Sequence, residues 1–185
     1  AAVAFIMFMI FLYLYTISAK AMRKSRMDSL TKLYHRESMA QQVNALLDSG
    51  TQESCGTMIM LDVDCFKSVN DCFGHPQGDI VLCNVSDVLR HAVRVNDLVG
   101  RLGGDEFCVF LPGKMSPEGI LQVVRRIEKG IHSICLPDGK PLTCSIGIAP
   151  YLRQEGFAEF YLQADRALYA SKQKGRDCHS FFVAL

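Results

Sequence analysis

A Gly-Gly pair at positions 103 and 104 constrains the fold of this chain more than any other stretch. The apolar run Leu98-Val99 precedes the pair and the apolar run Cys108-Val109-Phe110-Leu111 follows it, which is the pattern of a β-hairpin. A two-residue hairpin loop needs positive φ angles, and glycine adopts them without steric cost. The pattern therefore predicts a tight hairpin whose strands belong to an apolar sheet.

Two adjacent carboxylates, Asp105 and Glu106, follow the glycine pair, and we expect them to begin the second strand. Neighbouring anions repel each other, and a hairpin does not require them. Because glycine has no side chain, a bulky ligand can approach the backbone beside these acids. The arrangement indicates a cation and a phosphate-bearing substrate. On this stretch alone, an ordinary hairpin with a solvated acidic tip is the alternative.

Apolar periodicity predicts the other elements of the chain. The predicted helices cover residues 37–48, 79–93, 117–131 and 157–172, and the predicted strands cover residues 58–64, 142–149 and 181–183. Residues 69–79 are polar and rich in turn formers. The order strand, helix, hairpin, helix, strand resembles the ferredoxin-like core of polymerase palms and nucleotide cyclases. We therefore expect an α+β fold with helices packed on one face of an antiparallel sheet.

Residues 1–19 carry no charge, and the basic residues Lys20, Arg23, Lys24 and Arg26 follow them. As a helix the uncharged segment would span about 28 Å, close to the roughly 30 Å of bilayer hydrocarbon. Basic residues beside a span mark its cytoplasmic end. The pattern predicts a transmembrane helix over residues 1–19 and a basic cytoplasmic connector over residues 20–27. A signal peptide and a buried helix of a soluble protein are the alternatives.

Composition excludes some classes of function. The formal net charge of +1 argues against a protein that binds nucleic acid through a general basic surface. The eight cysteines form no Cys-x-x-Cys pair, which argues against a zinc site. With 185 residues, 49% of them hydrophobic, the chain is long enough for one compact domain and an appendage.

Four stretches together resemble the GGDEF domain of diguanylate cyclases, whose name is the string found at residues 103–107. Residues 28–36 resemble the opening motif Asp-x-Leu-Thr-x-Leu-x-x-Arg, with Lys32 and His35 where the family usually has glycine and asparagine. Residues 61–79 and 164–176 resemble the second and third motifs of the family. The resemblance implies a GGDEF domain over residues 28–185, of the α+β fold expected above.

The resemblance also implies a metal site. It assigns three metal ligands, Asp62, the backbone carbonyl of Val63 and Asp105, with Glu106 assisting. The implied ion is Mg²⁺, with Mn²⁺ as the alternative. Asp105 is also implied as the base that deprotonates a ribose 3′-hydroxyl. In a ferredoxin-like sheet the strands of Asp62 and Asp105 are neighbours, so the carboxylates are expected to converge. Clustered anions need a cation, and hard divalent ions take carboxylate oxygens.

The same resemblance assigns the residues that hold the substrate. It places Asn70 and Asp79 on guanine, His75 and Phe66 in the substrate loop, and Lys67 at the triphosphate. A carboxylate at position 79 accepts two hydrogen bonds from guanine that adenine cannot supply, so we expect GTP rather than ATP. The resemblance further assigns Lys172 and Arg176 to the phosphates. Solvated charges at a helix end are the alternative for those two residues.

The implied reaction joins two GTP molecules into cyclic di-GMP and releases two pyrophosphates, in a homodimer whose subunits each hold one GTP. The spacing of Arg94 and Asp97 from the glycine turn resembles the family's inhibitory product site, although a surface ion pair is the alternative. A catalytically silent receptor that binds cyclic di-GMP through these two residues is the second candidate function. With the predicted membrane helix, we expect an inner-membrane signalling protein whose catalytic domain lies in the cytoplasm.

Overall fold

A computed structural model describes residues 5–13, 26–49, 55–150 and 156–183 of the chain. Residues 5–13 are helical and are called α1 here. The other elements, in chain order, are β1 (Tyr34–His35), α2 (Arg36–Asp48), β2 (Gly56–Val63), α3 (Phe66–Phe73), α4 (His75–Ala92), β3 (Leu98–Gly103), β4 (Glu106–Pro112), α5 (Pro117–His132), β5 (Cys144–Pro150), α6 (Phe157–Gln173) and β6 (Cys178–Phe181).

The strands form one sheet in the order β1-β3-β4-β2-β5-β6. The four central strands pair antiparallel, and their order confirms the ferredoxin-like core. The prediction of a wholly antiparallel sheet is wrong, because β1 pairs with β3 and β6 pairs with β5 in parallel. Helix α6 lies between β5 and β6 in the chain, and a helical crossover returns the chain in its original direction. The sheet is therefore mixed.

Helices cover both faces of the sheet, which corrects the expectation of helices on one face. All eight residues of β2 are buried. Ile59 and Leu61 pack in one apolar cluster with residues of α4 and α5, whereas Met58 and Met60 pack in a second cluster with residues of α2 and α6. Successive side chains of a strand point to opposite faces. An unbroken apolar strand such as β2 therefore needs a helical layer on each side.

The largest differences from the predicted boundaries concern three elements, α3, α4 and β6. Part of the stretch predicted as polar turns is helical, because α3 occupies residues 66–73 and α4 begins at His75. Gly74, with a φ of 82°, separates the two helices. Only Val69 of α3 is fully buried, whereas Phe66 and Phe73 are partly buried against the core, so this eight-residue helix packs through a narrow apolar face. The last strand is β6 at Cys178–Phe181, three residues earlier than predicted.

Helix α6 approaches the sheet to backbone contact at Gly147 of β5. A Cβ atom at this position would lie 2.2 Å from the carbonyl oxygen of Ala164 and 2.2 Å from the backbone nitrogen of Leu168. One turn further along α6, the Ser171 hydroxyl donates a 2.6 Å hydrogen bond to the carbonyl of Ile146. The C-terminal half of α6 is therefore fixed against β5 by main-chain contacts.

The predicted membrane helix lies mostly outside the described residues, since only residues 5–13 of the 1–19 segment are described. Those residues are helical, and their large apolar side chains are exposed. The predicted connector is described only at residues 26 and 27. Within the described ranges, no helix has both the length and the apolar character needed to cross a membrane.

Candidate active site

The hairpin predicted around the glycine pair is present, but its loop lies one residue later. Gly103 still pairs with Glu106, so the two loop residues are Gly104 and Asp105. Gly104 has a φ of 51°, a left-handed conformation that glycine adopts without strain. The shift follows from an irregular register between Arg101 and Gly103. Asp105 therefore lies in the turn, and only Glu106 begins the second strand as predicted.

The hairpin brings the predicted carboxylates together. Asp62 of β2 is the direct cross-strand partner of Glu106 in β4, and side chains in such pairs share one face of the sheet. The backbone nitrogen of Val63 donates a 3.3 Å hydrogen bond to the carbonyl of Asp105. Asp62 is 9% exposed. The end of β2 and the glycine turn thus form one acidic edge, as the sequence predicted.

The electrostatics of this edge are those of crowded anions. Burial raises the pKa of Asp62, the charges of Asp105 and Asp64 raise it further, and hydrogen bonding to Lys172 opposes the rise. Burial also raises the pKa of Glu106, and the charge of Asp62 is the next largest cause of that rise. Each carboxylate is therefore less stable as an anion than in water. A site with these properties favours the approach of a cation.

Lys172, near the end of α6, supplies a positive charge to this edge. Its Nζ atom lies 2.8 Å from Oδ2 of Asp62, and its side chain is 33% exposed. The contacts of α6 with β5 hold the backbone on which this lysine stands. Lys172 is therefore part of the acidic edge rather than a solvated charge at a helix end.

The donor set fits a hard divalent ion. Among the described residues, no three His, Cys, Asp or Glu side chains form a ready metal cluster. The sequence, however, predicted two carboxylates, Asp62 and Asp105, with the backbone carbonyl of Val63. Mg²⁺ takes few protein ligands of this kind, keeps several waters and shares its shell with substrate phosphates. The residues present agree with that mode of binding.

Helices α3 and α4 bring the predicted guanine-binding residues together. A Cβ atom at Gly78 of α4 would lie 2.0 Å from Oδ1 of Asn70 and 3.2 Å from Cζ of Phe66. Glycine at position 78 therefore lets the Asn70 side chain lie against α4, next to the residue before Asp79. Three further predicted residues, Lys67, His75 and Asp79, have exposed side chains on these two helices.

The last predicted phosphate contact, Arg176, lies in the turn between α6 and β6. It is exposed, and its φ of 68° is unusual for a residue with a side chain. The structure thus describes three groups of predicted residues: the acidic edge with Lys172, the pair of helices α3 and α4, and the turn of Arg176.

Sequence reasoning missed the residues that hold the glycine turn. Arg101 donates from Nε and Nη2 to the carbonyl of Gly104, at 2.9 and 2.7 Å, and from Nη1 to Oδ1 of Asp28 at 3.0 Å. The same Asp28 oxygen accepts the backbone N–H and the hydroxyl of Thr31. Burial acts to raise the pKa of Asp28, but the hydrogen bonds from Thr31 and Arg101 outweigh it and lower the pKa. The sequence sign that could have indicated this contact is an arginine two residues before the Gly-Gly pair.

The predicted product site lies in the loop between α4 and β3. The backbone N–H of Arg94 donates a 2.7 Å hydrogen bond to Oδ2 of Asp97, so the contact is a turn and not a side-chain ion pair. Burial raises the pKa of Asp97, opposed by the Arg94 N–H and by the charges of Arg94 and Arg126. A cavity of about 250 Å³ lies beside this loop. Its lining includes the basic side chains of Lys32, Arg90 and Arg94.

Comparison with known proteins identifies the family. The model of the diguanylate cyclase GGDEF domain matches residues 25–178. Diguanylate cyclase DgcS of Shewanella oneidensis is 33% identical over 153 residues, which cover 82% of this chain and 51% of that protein. Diguanylate cyclase A of Treponema denticola is 35% identical over 150 residues, 79% of this chain and 40% of that protein. The chain therefore spans about half or less of the length of these curated relatives.

Solved structures agree with this assignment. The coiled coil and GGDEF domain of DgcB from Caulobacter crescentus, in complex with cyclic di-GMP, matches with a TM-score of 0.82 and 25% identity over 91% of this chain and 92% of that one. The GGDEF domain of PA1120 from Pseudomonas aeruginosa matches with a TM-score of 0.77 and 33% identity over 85% of this chain and 94% of that one. From its motifs, its fold and these matches, the chain belongs to the GGDEF domain family.

Proposed function

We propose that this chain is the catalytic part of a diguanylate cyclase, which joins two GTP molecules into cyclic di-GMP and releases two pyrophosphates. The observation that carries the proposal is the acidic edge, where Asp62 and Glu106 face each other beside the glycine turn with Lys172 on Asp62. The intact string from Gly103 to Phe107 favours an enzyme over a silent receptor.

In the proposed reaction, the ribose 3′-oxygen of one GTP attacks the α-phosphorus of the other. One P–O bond forms, the bond from the α-phosphorus to pyrophosphate breaks, and Asp105 accepts the hydroxyl proton. A second step of the same kind, in which the remaining ribose 3′-oxygen attacks the remaining α-phosphorus, closes the ring and releases the second pyrophosphate. Mg²⁺ or Mn²⁺, held by Asp62, the Val63 carbonyl and Asp105 with Glu106 beside them, would neutralise phosphate charge.

The basic side chains of the site stabilise the departing pyrophosphate. Lys67 on α3, Lys172 on α6 and Arg176 in the following turn approach the triphosphate from separate elements, which suits a group with several charged oxygens. In this proposal the Lys172 ammonium exchanges its Asp62 partner for a phosphate oxygen when the nucleotide binds.

Guanine recognition is assigned to the pair of helices α3 and α4. Asp79 accepts hydrogen bonds from the guanine edge, and the Asn70 amide can donate to it as well as accept from it. Phe66 and His75 line the same loop. The contact of Asn70 with Gly78 supports this assignment, since it holds an amide beside the start of α4. The proposed substrate is therefore GTP.

Each subunit holds one GTP in this proposal, so a homodimer with facing sites is required. The proposed product site at Arg94 and Asp97 binds cyclic di-GMP and inhibits the enzyme, and the basic lining of the adjacent cavity supports an anionic ligand. The uncharged residues 1–19 and the basic residues after them support a chain anchored in the inner membrane with its catalytic domain in the cytoplasm.

The test is turnover of GTP by the purified chain and its Asp105→Ala variant with Mg²⁺. We expect cyclic di-GMP from the wild type and none from Asp105→Ala. Asp48→Ala, which removes an exposed carboxylate at the end of α2, serves as the matched control and should retain turnover. If a forcibly dimerised wild type binds GTP and forms no product, the proposal is wrong and the silent receptor is favoured.

A further inference from the structure

Asp64, two residues after Asp62, is a buried carboxylate that the proposed chemistry does not use. It is 7% exposed, and hydrogen bonds occupy both of its oxygens. Oδ1 accepts the Ser145 hydroxyl at 2.7 Å. Oδ2 accepts the Thr143 hydroxyl at 2.9 Å and the backbone N–H of Asp177 at 3.0 Å. Since these donors come from the start of β5 and the turn before β6, Asp64 joins three segments of the chain.

The turn that Asp64 contacts has an unfavourable backbone conformation. Gly175, Arg176 and Asp177 have φ angles of 108°, 68° and 47°. Two consecutive residues with side chains in the left-handed region are uncommon and need support from their surroundings. The Arg176 N–H donates to the carbonyl of Ser171 at 3.2 Å, and the Asp177 N–H donates to Asp64. The peptide unit that joins Arg176 to Asp177 is therefore fixed by the buried carboxylate.

The outer side of the turn is held more loosely. The Asp177 side chain lies 2.6 Å from Nε2 of His132, but both side chains are nearly half exposed. Ion pairs at the surface contribute little to stability. A buried, charge-assisted hydrogen bond holds its geometry better. Asp64 is thus the principal anchor of the turn.

We propose that Asp64 is a positioning residue that aims Arg176 at the phosphates of the nucleotide. This inference rests on the proposed function, because it gives Arg176 a phosphate partner. The same strand end then carries two carboxylates with separate tasks. Asp62 faces the acidic edge, whereas Asp64 holds the phosphate-binding turn at a fixed distance from it. Both Asp64 oxygens accept protein hydrogen bonds, so this inference gives Asp64 the task of holding the turn and leaves metal binding to the ligands proposed above.

The test compares Asp64→Asn, Arg176→Ala and the double variant in the full chain. The probes are Mg²⁺-pyrophosphate, which reports the phosphate contacts, and guanosine, which reports the base contacts, with binding measured by calorimetry. Loss of one charge-assisted hydrogen bond predicts about tenfold weaker pyrophosphate binding and an equal rise in the KM for GTP for Asp64→Asn. Guanosine affinity should not change. In the Arg176→Ala background, Asp64→Asn should weaken pyrophosphate binding less than about twofold.

Asp138→Asn is the matched control, since Asp138 also accepts a turn N–H, from Lys140 at 3.1 Å, but at an exposed position. It should leave both affinities unchanged. Thr143→Val removes one donor to Asp64 and provides a second variant if Asp64→Asn does not fold, as judged by circular dichroism. It should weaken pyrophosphate binding about threefold.

Equal weakening of guanosine and pyrophosphate binding by Asp64→Asn would overturn the positioning role, and so would a full effect in the Arg176→Ala background. Unchanged pyrophosphate binding by a folded Thr143→Val would also overturn it. These outcomes are distinct from failure of the proposed function. In that case the wild type itself forms no cyclic di-GMP, even when it is forcibly dimerised and binds GTP.

Discussion

The guanidinium of Arg101 bridges the Asp28 carboxylate and the Gly104 carbonyl, with Nη1 3.0 Å from Oδ1 of Asp28. The two partners of this arginine lie in the opening motif and in the glycine turn. The side chains of Arg101 and Asp28 are 14% and 24% exposed, so the ion pair is partly shielded from water. The bridge therefore transmits the position of the segment before β1 directly to the turn that carries Asp105.

Arg101→Lys should slow catalysis while leaving the fold intact, because lysine cannot donate to both partners in the fork geometry of arginine. Loss of charge-assisted hydrogen bonds costs roughly 1.5–3 kcal/mol, so we expect kcat to fall about tenfold to a hundredfold. Steady-state kinetics measure the effect, with circular dichroism as the check on folding. Asp138→Asn, which breaks the exposed pair of Asp138 with Lys140, should leave kcat unchanged. An unchanged kcat in Arg101→Lys would refute the role of the bridge.

Gly78→Ala should weaken GTP binding and leave stability almost unchanged. The added Cβ would lie 2.0 Å from Oδ1 of Asn70 and would turn that amide away from the proposed guanine pocket. Alanine favours a helix over glycine by about 0.5–1 kcal/mol, which offsets the strain. We expect the KM for GTP to rise about tenfold, the cost of one hydrogen bond. Gly119→Ala in α5, where a Cβ meets only ordinary or slightly tight contacts, is the control.

Lys172→Met should move the acid limit of metal binding to higher pH. Burial raises the pKa of Asp62, and Lys172 opposes that rise. Without the lysine, Asp62 becomes protonated at a higher pH, and a protonated carboxylate binds a divalent ion poorly. Mn²⁺ binding followed by electron paramagnetic resonance should therefore show ion release at higher pH than in the wild type. Lys174→Met, which loses only a contact with Ser180, should leave this pH unchanged. A shift in the opposite direction would contradict the assignment.

Cys108 should make the fold sensitive to alkali. Complete burial raises the pKa of its thiol from 9.0 to about 12. Between these values the unfolded chain releases the proton and the folded chain retains it, so the free energy of unfolding falls as the pH rises. The slope for one such group is about 1.4 kcal/mol per pH unit. The free energy of unfolding, measured with urea from pH 8 to 11, should fall less steeply with pH in Cys108→Ala than in the wild type. Val43→Ala, which creates a cavity in the same apolar cluster, should lower the free energy of unfolding by the same amount at every pH.

The regular part of the fold was predictable because its periodicity is strong. Helix α2 was predicted over residues 37–48 and α5 over residues 117–131, within a residue of their observed bounds. Helix α3 was missed because it is only eight residues long and is followed at once by Gly74, so its apolar pattern is too short to stand out from a turn-rich stretch. The second helical layer was missed as well, although the apolar run in β2 is the usual sign of a strand buried on both faces.

The candidate site was predictable where its residues lie in short motifs, as for Asp62 and the acids of the glycine turn. The Arg101–Asp28 bridge joins residues 73 positions apart, and no local pattern in one sequence pairs them. The contact between Asp64 and the turn before β6 spans 113 positions and was missed for the same reason. Distances of this kind depend on how the elements pack and not on local composition.

The absence of a side chain at Gly147 has a consequence for how the proposed cyclase would be controlled. With main chain against main chain at this position, α6 is closely packed on β5, and this packing positions the backbone that carries Lys172 beside Asp62. In the proposed cyclase, a signal from the N-terminal side would act on the turn that Arg101 holds or on the way two such domains meet. The contact of α6 with Gly147 therefore favours control that acts between domains over control that moves α6 within one domain.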